Sequence, residues 1–225
     1  MKAVLFDLEG TLIESAYQRS SELVSRLRRS TREHLIGLGV PETVLEGLVR
    51  SHALRNEAYN WADENLDPEE APGIRAKMEE FTLEFDMISA RESKLYPDTI
   101  DALERLRGHG CVMALVTNTS TPAANYVMGR LGLEGFFDAV VTRSDVPRLK
   151  PDPAMVRLAE ARLGVEAGWL VGDSSFDAGA AEGAGLSSIT IRRDGVRPSF
   201  PHDHFIESLL EVLPILGLSP EQPNC

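Results

Sequence analysis

The stretch "KAVLFDLEGT", residues 2–11, decides how the rest of the chain is read. Four apolar residues, Ala3 to Phe6, run straight into Asp7, with Glu9 two positions on and Gly-Thr behind it. An unbroken apolar run predicts a strand buried on both faces, as in a parallel sheet covered by helices. Four more runs read the same way: "CVMALVTN" (111–118), "DAVVTRS" (138–144), "WLVGDS" (169–174) and "SSITIRR" (187–193). Helices are expected between the later ones. "PDTIDALERLRGHG" (97–110), "TPAANYVMGRLGL" (121–133) and "DPAMVRLAEARLG" (152–164) have Pro or a small polar residue at the start and Gly at the end. Strand and helix in alternation predict an α/β fold with a Rossmann-like open parallel sheet and right-handed crossovers.

The interval after the first strand breaks the alternation. It is far longer than one crossover and reads as helices over about 15–30, 32–38, 41–62 and 74–90, with "DENLDPEEAPG" (63–73) as a loop. The expected organisation is an α/β core from residues 1–13 and 97–225, with an all-helical insertion over 14–96 lying across the carboxyl edge of the sheet. The tail "FIESLLEVLPILG" (205–217) reads as an amphipathic closing helix that could form a dimer face, so a monomer or homodimer is expected.

Bulk properties narrow the partners. The 225 residues are 43% hydrophobic, enough for one good core plus a smaller module. A net charge of −12 makes general nucleic-acid or anionic-membrane binding a poor expectation. Cys111 and Cys225 form no disulfide framework, which suits a reducing cytoplasm. No run approaches the roughly 18 apolar residues of a membrane span. Nineteen Arg stand against four Lys, so each Lys invites inspection.

Ligands of open parallel α/β sheets bind outside the carboxyl ends of the strands. Those ends read "DLEGT", "TNTS" and "GDSSFD". Asp7, Asp173 and Asp177 would form a carboxylate cluster that a hard cation such as Mg²⁺ neutralises. Thr117 and Asn118, just before a helix start, suit phosphate oxygens. Lys150, in "RLKPDP", is placed to balance both.

Together, Asp7 in "DLEGT", Thr117-Asn118, Lys150 in "KPDP" and Asp173/Asp177 in "GDSSFD" resemble the four motifs of the haloacid dehalogenase superfamily, in that family's order. The helical insertion resembles the family's cap between motifs one and two. The resemblance implies a capped phosphatase acting on a small phosphate ester, phosphoglycolate-like or a sugar phosphate. Asp7 would be the nucleophile and Glu9 the acid/base, with the Glu9 backbone carbonyl on Mg²⁺. Thr117 and Lys150 would hold the phosphoryl group. Asp173 would complete the metal site, and Asp177 would ligate directly, through water, or orient Lys150.

Glu9 departs from the usual Asp of that position. Its extra methylene moves the carboxyl by about 1.5 Å, one carbon–carbon bond. Working phosphatases of the same superfamily, the enolase-phosphatases, have a similar D-x-E-G-T motif. The alternatives are a slow enzyme leaning to phosphotransfer or mutase chemistry, and a non-catalytic phospholigand-binding protein. Dehalogenases of the superfamily resemble this chain in fold but carry a non-acidic residue at the Glu9 position. Phosphonatase chemistry would need a Schiff-base Lys, and the insertion offers only Lys77 and Lys94.

Within the insertion, residues 15–55 carry a charge of +3 and residues 56–94 carry −7. The first half is the one expected to face an anion, with Tyr17, Arg19 and His52 as candidate substrate contacts. His202 and His204 are expected on a short surface strand, His34 and His109 at helix ends, and Trp61 and Trp169 in packing.

Overall fold

The computed structural model describes residues 2–219. In chain order its elements are β1 (Ala3–Phe6), β2 (Ile13–Glu14), α1 (Ala16–Arg19), α2 (Ser21–Gly37), α3 (Ser51–Asn65), α4 (Ala71–Glu92) and β3 (Lys94–Leu95). There follow α5 (Thr99–Gly108), β4 (Val112–Thr117), α6 (Thr121–Leu131), β5 (Ala139–Thr142), α7 (Ala154–Leu163) and β6 (Trp169–Gly172). The chain closes with α8 (Ser175–Ala184), β7 (Ser187–Ile191), β8 (His204–Ile206) and α9 (Val212–Ile215).

Six strands form one sheet in the order β5-β4-β1-β6-β7-β8, every neighbouring pair parallel. The expected Rossmann-like α/β fold is therefore present. Successive side chains of a strand point to opposite faces. Phe6 accordingly joins Leu115, Leu103 and Val127 on one face, while Leu5 joins Val116, Met155 and Ala180 on the other. Phe6 pairs with Leu115 and Val171 in register, so the tips of β1, β4 and β6 end side by side. That register brings the three polar tips together.

Between β1 and β4 the chain builds a helical layer with its own core, including Leu35, Leu54, Tyr59 and Met78. Its two ends meet in a small antiparallel ribbon, Ile13 opposite Leu95 and Glu14 opposite Lys94. The expected helix 15–30 and helix 32–38 are instead the single turn α1 and the continuous α2. Ser20 ends the first and accepts from Leu23 N to start the second. Thr31 does not interrupt α2, because its hydroxyl bonds the Ser51 hydroxyl across to α3 at 3.0 Å. The expected helix 41–62 is also two pieces. A 3-10 turn covers Glu42–Leu45, Gly47 takes a left-handed φ of +71°, and α3 starts only at Ser51. The loop expected over 63–73 shrinks, since α3 runs to Asn65 and α4 begins at Ala71 with Pro72 in its first turn.

The tail also differs from expectation. Phe205 and Ile206 belong to β8, the sixth parallel strand, and only a 3-10 turn at Leu209–Glu211 and the one-turn α9 are helical. An apolar tail at helical spacing satisfies either geometry, and pairing with the open edge of β7 prevails. His204 lies on this edge strand while His202 precedes it. Trp61 and Trp169 pack against the cores, and His109 caps the end of α5. Cys111 is buried and unpaired; Cys225 lies outside the described residues. Among the described residues no helix is long and apolar enough to cross a membrane.

Asp98 ties the tail to the core. Its carboxylate accepts from Arg193 Nη1 at 2.7 Å, Ser208 Oγ at 2.6 Å and Leu209 N at 2.8 Å. These donors hold its pKa below the ordinary value against the opposing effect of burial. A depressed carboxylate contributes stability above its unfolded pKa, and that stability is lost as pH falls through the folded value. Asp98→Asn is expected to lower unfolding stability by about 2 kcal/mol near pH 7, the scale of hydrogen bonds to a charged group. The difference from wild type should shrink in acid, as read by urea titrations at several pH values.

Candidate active site

The β1 tip is a tight turn. Leu12 N and Ile13 N both donate to Leu8 O, at 2.9 and 3.1 Å, and Gly10 N donates to Ile13 O at 2.8 Å. Asp7 N donates to Val171 O at 2.8 Å, which ties the acid to β6. Gly10 has φ +83°, and a Cβ there would collide with the Asp173 carboxylate. Only glycine allows that conformation and that approach. The Glu9 carbonyl accepts no backbone hydrogen bond among those of the described turns and loops.

Lys150 reaches the same point from the β5–α7 connection. Its buried ammonium donates to Asp7 Oδ1 at 2.7 Å, Asp177 Oδ1 at 2.6 Å and Val116 O at 2.9 Å. All three ammonium protons are thereby placed. Burial alone would pull the lysine pKa down, but Asp177 and Asp7 outweigh it and hold the charge on. Asp177 also accepts from Ser174 N at 3.1 Å and Ser174 Oγ at 2.5 Å, so both its oxygens are engaged by protein donors.

Asp173 has no protein donor among the described residues, and burial with Asp177 and Asp7 nearby raises its pKa well above the ordinary value. One oxygen each of Asp7, Asp173 and Asp177 lie within 4.8 Å of one another. A donor-free carboxylate in a cluster of hard oxygens fits a divalent cation. Asp7 is pushed up to about 6, with burial the main cause, Lys150 opposing and Asp177 adding.

Glu9 faces the helical layer. Its Oε1 accepts from Ser89 Oγ of α4 at 3.1 Å. Burial, then Asp86, then Asp7 push its pKa up to about 8. Asp86 is paired with buried Arg143 at 2.5 Å, and Arg143 also meets Glu79 at 2.7 Å and the Thr82 hydroxyl at 2.9 Å. An ion-pair network thus joins the β5 tip to α4 directly behind Glu9.

Asp7, Glu9, Lys150, Asp173 and Asp177 line a cavity of about 220 Å³ between the strand tips and the helical layer. Thr117, at the end of β4, lines it. Its hydroxyl donates to the Thr119 hydroxyl at 3.1 Å and accepts from Thr119 N at 3.2 Å. Asn118 lines it as well, but its side chain is turned to the main chain, Oδ1 accepting from Lys150 N at 3.1 Å. Tyr17 and His52 line the cavity. The Tyr17 hydroxyl and His52 Nε2 are buried without partners. His52 packs edge-on against Phe176 at 3.9 Å, and burial, then Arg50 and Arg55, push its pKa down to about 3, so its ring is neutral. Arg19 does not reach the cavity. It lies at the ribbon, donating to Glu14 at 3.2 Å and the Glu92 carbonyl at 2.7 Å. Its neighbours on the outer face of the insertion supply acids, so its charge is already satisfied.

Arg28, Arg50, Arg55, Asp86 and Arg143 line the cavity and had no motif to announce them. One signal was available. Glu79, Thr82, Asp86 and Ser89 recur at helical spacing on α4, a polar stripe on a helix that otherwise buries Met78 and Phe85.

Sheet, strand-tip acids and buried lysine together define an α/β protein with an acid-centred site on a Rossmann-like core. Residues 1–185 match the family described as haloacid dehalogenase-like hydrolase, and the chain belongs to that family. It is 32% identical over 213 residues to the phosphoglycolate phosphatase of Cereibacter sphaeroides, covering 90% of each chain. It is 26% identical to (S)-2-haloacid dehalogenase 4A of Burkholderia cepacia, covering 96% of this chain and 95% of that one. A solved HAD phosphatase from Thermococcus onnurineus superposes with a TM-score of 0.60 at 29% identity, over 99% of this chain and all of the other.

Proposed function

We propose that the chain is a phosphatase that hydrolyses a small phosphorylated metabolite through an aspartyl-phosphate on Asp7. The observation that carries this reading is the Lys150 ammonium bonded to Asp7 Oδ1 and Asp177 Oδ1, with the Glu9 carboxyl in the same cavity. Lys150 engages Oδ1, so Oδ2 is the oxygen left to attack phosphorus. As the Asp7–phosphorus bond forms and the ester bond breaks, Glu9 gives its proton to the leaving oxygen. Glu9 then takes a proton from water, which attacks phosphorus, breaks the Asp7–phosphorus bond and frees phosphate. Lys150 stabilises the charge on the transferring group and Thr117 holds it; the side chain of Asn118 acts on the Lys150 backbone.

Mg²⁺, held by Asp7, Asp173 and the Glu9 carbonyl with Asp177 adjacent, would supply the positive charge that this cluster and the phosphoryl oxygens require. Residues 14–96 act as the cap, and the cavity of about 220 Å³ suits a compact leaving group. Arg28 and Arg50 at its wall suit a second anionic group on that substrate. The phosphoglycolate phosphatase relative supports such a compound, and a reducing cytoplasm is the setting that fits it. The dehalogenase relative raises a second reading, which the acid at position 9 disfavours, since halide needs no protonation to leave.

The test is release of phosphate from a panel of small phosphate esters, run beside halide release from 2-haloacids. Phosphate release from at least one compact anionic ester is expected. Halide release in its place, or no phosphate from any ester, overturns the reading.

A further inference from the structure

The segment that delivers Lys150 is held from outside the sheet. Asn56, on α3 of the helical layer, uses both ends of its side-chain amide on one residue. Its Nδ2 donates to Leu149 O at 2.9 Å and its Oδ1 accepts from Leu149 N at 3.0 Å. The next backbone amide, Lys150 N, donates to Asn118 Oδ1 at 3.1 Å. The backbone on both sides of Leu149 is thus fixed by the insertion, and that of Lys150 by the β4 tip. Two more residues of α3 on the same face, Asn60 and Asp63, bond Arg148, Asn60 Oδ1 accepting from Nε at 2.8 Å. Leu149 itself is buried in the core beneath.

We propose that Asn56 is a positioning residue for Lys150: the insertion, by clamping Leu149, sets the ammonium between Asp7 and Asp177. The seat of the charge-stabilising lysine therefore depends on α3 being in place over the sheet. This rests on the role given to Lys150 under the phosphatase reading. Asn56 touches no reacting group. Its effect passes through one peptide unit, and the geometry tolerates no simple substitute. An Asp could accept from Leu149 N but would set a carboxylate against Leu149 O. A Gln would place the amide one methylene too far.

Two measurements test this. Native-state hydrogen exchange of Asn56→Ala should show lost protection at the Leu149 amide, with the amides of α3 unchanged. That readout does not depend on any activity, so it stands even if the protein proves not to be a phosphatase. Turnover of an aryl phosphate should fall by about 10²-fold in kcat, the scale of a misplacement near 1 Å, with KM little changed. Asn56→Asp should behave like Asn56→Ala. The decisive comparison is in a Lys150→Ala background, where Asn56→Ala should have no further effect on residual turnover. An equal loss in both backgrounds, unchanged exchange at Leu149, or full activity in Asn56→Asp overturns the proposal.

Discussion

Asp7→Asn is expected to reduce phosphate release by on the order of 10⁵-fold or more, the scale seen when a covalent nucleophile is removed. The amide oxygen can still accept from Lys150, so the site keeps its shape while losing the oxygen that attacks. The same change should not lower stability in the presence of a chelator. Asp7 has its folded pKa raised to about 6, so its ionised form is disfavoured by the fold. A raised carboxylate contributes stability at low pH that disappears as pH climbs through the folded value. At pH 7.5 wild-type Asp7 is past that point, and the neutral amide removes the cost of burying its charge, which together with repulsion from Asp177 outweighs the attraction to Lys150. The urea midpoint of Asp7→Asn should therefore equal or exceed that of wild type. A variant that loses activity together with stability would point to a structural role for Asp7.

Glu9→Gln is expected to cut kcat by about 10²–10⁴-fold, the range of a lost general acid/base. Glutamine keeps the length and can still accept from Ser89, so the comparison isolates the proton. Glu9→Asp asks a different question. Its carboxyl retracts by about 1.5 Å, one carbon–carbon bond, and gives up the Ser89 contact. A loss of up to about 10²-fold follows for that displacement. Ser89→Ala should then lower turnover in wild type and leave Glu9→Asp unchanged. Equal turnover of Glu9→Gln and wild type would remove Glu9 from the mechanism. The extra methylene is absorbed by a partner on α4: the longer acid reaches a hydroxyl that aspartate would miss.

Much of the site was legible because parallel strands put chemistry at their tips. Asp7, Thr117 and Asp173 each end an apolar run, and the register of β1, β4 and β6 makes them neighbours. Lys150 stood out through scarcity of its type. Asn56 was not legible, and the α4 stripe with Asp86 and Ser89 showed only a polar face, because a polar residue on a helix looks the same whether it faces water or a buried acid. Arg143 was hidden for a similar reason, its partners Glu79 and Asp86 lying about sixty residues away on α4. Arg19 was misplaced because net charge says nothing about which acids lie alongside. The tail was misassigned because spacing cannot show that β7 has an open edge.

The two-residue ribbon Ile13–Glu14 with Lys94–Leu95 gives the chain an unusual thread. Its pairing is reinforced by Tyr96 N and Thr99 Oγ1, both donating to Leu12 O, at 3.2 and 2.7 Å. To the sheet, everything between these strands is one long loop with its ends pinned together. Closing about 80 residues in place of five adds only about 2.5 kcal/mol, because closure entropy grows with the logarithm of length. The strands that hold Asp7 can therefore pair without regard to the length of chain between Glu14 and Lys94, so a change in the number of residues there costs the sheet little.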